Sequence, residues 1–165
     1  MAFKEALLAE FDHEIGSTRR LLERVPDAYL EWKPHEKSYS LGDLSGHIAS
    51  LLTWMNRILE STDLDLATVS ERRLASPVSR DEVLGRLDLN AQHARARLAE
   101  QTDASLLAAW TLRNGGREMF TMPRSSVLRS FVFNHLIHHR GQLTVYLRLQ
   151  NVPLPSLYGP TADEP

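Results

Sequence analysis

The 165-residue chain contains no cysteine, which excludes disulfides, thiolate nucleophiles, iron-sulfur clusters and cysteine-based zinc sites together. Any metal must therefore be held by His, Asp or Glu, and any sulfur chemistry must arrive with a small molecule. Charge of one sign is lacking too: 19 Lys and Arg stand against 21 Asp and Glu, a net charge of -2. No broad field draws such a chain to a polyanion, so neither nucleic acid nor a membrane is expected as a partner. No stretch approaches the ~18 apolar residues of a membrane helix. The first residues, MAFKEALLAEFDHE, are acidic and amphipathic rather than basic and then apolar, so a cytoplasmic protein is expected. Internal repeats and low-complexity tracts are absent.

The composition is otherwise that of an ordinary soluble domain, 42% hydrophobic, with seven histidines as its one oddity. Apolar residues recur at steps of three and four in four stretches, which is the helical period. The first runs from Ala2 to Arg24 and is ended by Pro26. The second starts at Ser40, whose spacing to Asp43 resembles a capping box, and continues to about Glu60. The third starts in the same way at Ser79 and Glu82 and reaches Gln101, and the fourth runs from Arg124, after Pro123, to Gln150. Residues 61–78 lose the period and read as a long crossover. Asn114-Gly115-Gly116, between short runs, reads as the turn of a small hairpin. The expected fold is all-α, a four-helix bundle with a long crossover between helices 2 and 3 and a small hairpin before helix 4, against the alternative of an irregular α-protein. One domain over residues 1–155 is expected, with 156–165 a loosely ordered tail.

At roughly 100° per residue, His135 and His139 fall on one face of the fourth helix, about 6 Å apart along its axis. Leu128, Phe131, Gln142 and Tyr146 flank them. Two readings of this pair are open: core histidines satisfied by hydrogen bonds, or an i, i+4 pair of metal ligands. On the second helix His47 aligns with Leu44, Leu51, Trp54 and Ile58, so it too points inward. Three imidazoles converging in one small core favour a metal site. His138, turned about 100° from His139, is expected beside the site. His13, on a polar face with Glu10, Glu14 and Ser17, is expected in solvent, as are His35 and His93. Arg140 points away from the histidines, towards a helix surface or a subunit contact.

These residues also resemble a known family. Trp32-Lys33-Pro34 through Lys37-Ser38, Ser40-Leu41-Gly42, His47 in LSGHIASLLTWM, and above all FNHLIHHRGQLTVYLR are similar to the DinB/YfiT-like superfamily. The similarity spans most of the chain. It implies helices in up-down-down-up order, a homodimer, and a divalent metal held by His47, His135 and His139. Relatives with assigned chemistry transfer low-molecular-weight thiols such as bacillithiol or isomerise substrates with mycothiol, and many have no assigned reaction.

Three histidines leave coordination positions open for water or substrate. Imidazole ligands suit zinc or nickel, and also copper or iron. Unlike H-E-x-x-H, the fourth helix places no carboxylate between its histidines. A hydrolase would have to bring a base from elsewhere, with Asp88 or Glu82 as the candidates. The expectation is a metal-dependent thiol S-transferase acting on a small electrophile, with a low-molecular-weight thiol as cosubstrate. A metal-dependent hydrolase and a non-enzymatic, metal-binding stress-response bundle are the alternatives. Gln142, Tyr146, Trp54 and His138 are the candidate pocket residues.

Overall fold

In the computed structural model, residues 3–69 and 75–164 are described. Residues 70–74 of the expected crossover and the ends of the chain lie outside them. Helix α1 spans Phe3–Leu22, α2 Leu41–Ser50, α3 Leu52–Glu60, α4 Arg80–Ala99 and α5 Asp103–Leu107; α6 spans Arg124–Leu128 and α7 Asn134–Leu149. Between α6 and α7, Arg129–Phe133 forms a π turn. The expectation of an all-α chain is corrected by a three-stranded sheet: β1 (Asp63–Asp65), β2 (Ala109–Asn114) and β3 (Arg117–Pro123), in that order.

The expected hairpin is β2 and β3, antiparallel and joined at Gly115 and Gly116, whose φ angles of +60° and +79° suit residues without a Cβ. The third strand lies in the stretch read as pure crossover, where β1 pairs in parallel with β2. Asp65, at its end, fixes the pairing. One carboxylate oxygen accepts from Gly115 N at 2.8 Å and the other from Gly116 N at 2.6 Å. A three-residue strand has too little alternation to be read from sequence, and its partners lie about fifty positions away.

The expected second helix is two. Ser50 Oγ bonds back to the Gly46 carbonyl at 2.7 Å and Thr53 Oγ1 to that of Ser50 at 2.8 Å, while Leu51 N is shared between the carbonyls of His47 and Ile48. Such back-bonding competes with the helical ladder and bends it. Both expected N-caps form: Ser40 Oγ accepts from Asp43 N at 3.0 Å and Ser79 Oγ from Glu82 N at 3.1 Å. Neither box is reciprocal, since Glu82 reaches Val78 N and Asp43 takes the Ser76 hydroxyl. Ahead of α2, the 27–40 connection lies against the helix start: Leu41 N and Gly42 N donate to the carbonyls of Trp32 and Leu30, each at 2.8 Å. A Cβ on Gly42 would sit 3.1 Å from that Leu30 oxygen, so any larger residue would push the connection back by a few tenths of an ångström.

One apolar core joins these elements, from Leu7 and Phe11 on α1 to Leu143 and Leu147 on α7, and takes in Trp110 of the hairpin. Contacts fix the helix directions. Along α1, Glu10, Phe11 and Glu14 meet Arg129, Phe133 and Arg140, so α1 and α7 run the same way. Asp12 meets Arg95 and Arg19 meets Asp88, so α4 runs opposite to α1. Ala49 and Glu60 meet Asn90 and Arg97, which makes α2 and α3 parallel to α4. Arg124 ties the chain together where α3, α5 and α6 meet: its buried guanidinium donates to the carbonyls of Ile58, Ser61 and Ser105.

The expected outward direction of Arg140 is corrected, because α1 covers that face. Arg140 is 1% exposed and donates to the carboxylate of Glu14 at 2.5 Å, the Glu14 carbonyl at 2.9 Å and Thr18 Oγ1 at 3.1 Å. Glu14 and Ser17, read as polar-face residues, are likewise buried, whereas His13 is exposed. The segment after Pro155 folds onto the same place. Tyr158 Oη bonds Glu14 at 2.7 Å and also meets Arg140, and further along Asp163 pairs with Arg148 and Glu164 with Arg24. Burial of the hydroxyl and its bond to Glu14 push Tyr158 up to about 12.

Candidate metal centre

Two helices build the site. α2 presents His47 two turns after its Ser40 cap, and α7 presents His135 and His139 one turn apart. One ring nitrogen of each histidine lies within 4.8 Å of the others. The Nε2 atoms of His135 and His139 face each other at 2.8 Å, and the His47 ring centre is 5.3 and 4.6 Å from the other two. Nitrogens sharing one tetrahedral zinc sit about 3.3 Å apart, given bonds of about 2.0–2.1 Å. One separation is shorter than this and the others lie within 4.8 Å, so the trio could close on one such ion with a shift of the rings. Among the described residues no carboxylate joins the group.

The imidazoles are half-buried rather than set in the apolar core as the helical wheel suggests, so the site lies at the edge of the core. Burial, then the charges of His139 and His135, hold His47 down at about 4. Burial also lowers His135 and His139 below the usual imidazole range. At neutral pH all three rings are uncharged, the state that donates a lone pair to a metal.

His139 has a hydrogen-bond partner on its outer side, where its Nδ1 meets Gln142 Oε1 at 2.7 Å. Phe131, inside the π turn, leaves the histidine stripe: it is exposed and packs on Phe120 at 5.2 Å, because the wide turn shifts the helix phase upstream of Asn134. Leu128 remains buried.

Of the other candidates, His138 is exposed and meets the His139 ring edge-on at 4.9 Å. Tyr146 packs edge-on against Trp32 at 5.7 Å and its hydroxyl donates to the Tyr39 carbonyl at 3.3 Å. Trp54 lies beyond the break at Leu51, where its ring takes the Arg57 guanidinium. The residue that sequence reasoning missed is Tyr39, whose ring stacks on His47 at 5.8 Å with 28° between the planes. Its place next to the Ser40 cap was its one signal. Asp88 and Glu82, the candidate bases, are engaged on α4 by Arg19 and Arg86.

The structure thus brings together a half-buried trio of histidines from the second and last long helical runs. The DinB family model matches residues 1–165. The chain belongs to the DinB family. YrdA of Bacillus subtilis (strain 168) is 26% identical over 161 residues, covering 95% of this chain and 89% of that protein. A DinB-like protein from Bacillus cereus ATCC 10987 superposes with a TM-score of 0.75 at 23% identity, over 93% of this chain and 97% of the other. One from Bacillus subtilis gives 0.71 at 20% identity, over 93% and 99%. These likenesses establish a DinB-like fold, mostly helical with a small sheet.

Proposed function

We propose that this DinB-family protein is a metal-dependent thiol S-transferase in which His47, His135 and His139 hold a divalent ion, zinc or nickel. The observation that carries the metal reading is the trio itself: three neutral ring nitrogens within 4.8 Å of one another, with no carboxylate among them. Such an ion acts as a Lewis acid and lowers the pKa of what binds it. Three uncharged imidazoles leave its charge uncompensated, which favours an anionic fourth ligand such as a thiolate.

In the reaction proposed, a low-molecular-weight thiol gives up its proton and its sulfur attacks an electrophilic carbon. A C–S bond forms, the bond from that carbon to its leaving group breaks, and the leaving group departs with the electron pair. The chain has no cysteine, so the cosubstrate supplies the sulfur. His138, exposed beside His139, is positioned to take the thiol proton. Tyr39, stacked on His47, borders the trio and orients what enters, with the Tyr146 hydroxyl holding the Tyr39 carbonyl. Hydrolysis is the weaker reading, since both candidate carboxylate bases are held in ion pairs on α4. With the reading goes an up-down-down-up bundle of the four helical runs, with the sheet added, assembled as a homodimer.

The test is metal-loaded protein assayed with monochlorobimane and a panel of thiols including cysteine, glutathione and bacillithiol. Thiol-dependent fluorescence is expected from wild type and none above background from His47→Ala, which should also lose metal uptake while remaining helical. Protein holding one equivalent of metal but showing no turnover across the panel would reject the transferase and leave the metal-binding bundle.

A further inference from the structure

The outer side of His139 carries an inference that rests on the metal reading but is testable apart from it. A histidine that ligates metal through one nitrogen needs its other nitrogen held by a hydrogen-bond acceptor, which fixes both tautomer and ring orientation. Gln142 Oε1, one turn beyond His139, lies 2.7 Å from its Nδ1. On the inner side, His139 Nε2 faces His135 Nε2 at 2.8 Å.

With Gln142 Oε1 accepting the Nδ1 proton, the neutral His139 ring turns its Nε2 lone pair towards the other two rings, 2.8 Å from His135 Nε2, which is then the donor of that pair. A cation bound by the trio would take the place of that proton.

We infer that Gln142 is a positioning group that locks His139 as its Nδ1–H tautomer, aiming the Nε2 lone pair at a cation shared with His47 and His135. Gln142 thus acts through His139 and need not touch substrate.

Long-range 1H–15N NMR of histidine-labelled, metal-free protein at pH 8 reads the tautomers directly, and Zn2+ titration of the same samples reads the consequence. Wild type should show the proton on Nδ1 of His139. Gln142→Leu should lose the fixed Nδ1–H form at His139 and bind Zn2+ about 10- to 100-fold more weakly. Gln142→Glu, which keeps an acceptor oxygen, should restore the tautomer. A wild-type His139 protonated at Nε2, or a Gln142→Leu protein with the wild-type tautomer, would overturn the inference. A wild type that takes up no Zn2+ would refute the metal reading, while the tautomers would still decide the role of Gln142.

Discussion

Arg140 shows how far one residue's environment departs from its place on a helical wheel. The wheel turns it away from the histidines, and it does point away, but onto α1, where Glu14 and Thr18 satisfy it and Tyr158 covers it. Tyr158 is 62% exposed as a residue while its hydroxyl reaches the buried Glu14 carboxylate. Removing one partner of a buried ion pair leaves the other charge unpaired and costs about 3–5 kcal/mol. Arg140→Ala should lose that much in urea unfolding of the metal-free protein, and a loss below about 1 kcal/mol would show that Glu14 finds water instead. Periodicity identifies the faces of α1 and α7, but Glu14 and Arg140 were unreadable as interior residues because each needed its partner on the other helix to be known.

At the scale of elements, the starts of helices were legible and their interruptions were not. Ser40 and Ser79 cap α2 and α4 through bonds three residues away, a purely local signal. The buried Ser40 cap precedes His47 by two turns, so Ser40→Ala should cost about 1 kcal/mol and Ser40→Asp far less, measured by thermal unfolding of both variants. The break at Leu51 and the π turn at Arg129–Phe133 both fall within unbroken helical periods. A wheel at a constant angle carries its phase through such places, which is why Phe131 was assigned to the histidine stripe and stands outside it. His135, His139 and Gln142 lie wholly after the π turn, so their mutual spacing survived.

For the whole molecule, the sheet is what the sequence concealed. Its hairpin was visible in Asn114-Gly115-Gly116, but β1 exists only because β2 and the hairpin turn come alongside Asp65. The proposed dimer belongs to this scale as well. α7 exposes Val145 and Leu149, an apolar strip available to a second copy. Sedimentation velocity at micromolar concentration should give a species of twice 18.7 kDa, and a single species near 18.7 kDa would reject the dimer.

The sequence by itself determined the helical periods, the two caps, the absence of any protein thiol, and the three histidines worth bringing together, because each of these depends on neighbours within about one or two turns. Only the tertiary structure decided that His47 reaches His135 and His139, that Tyr39 lies over it, and that Asp88 and Glu82 are engaged elsewhere. It also decided that Arg140 is buried. Each of these is a contact between residues tens of positions apart, set by which helix packs on which face and in what direction, and periodicity within one helix carries no information about either.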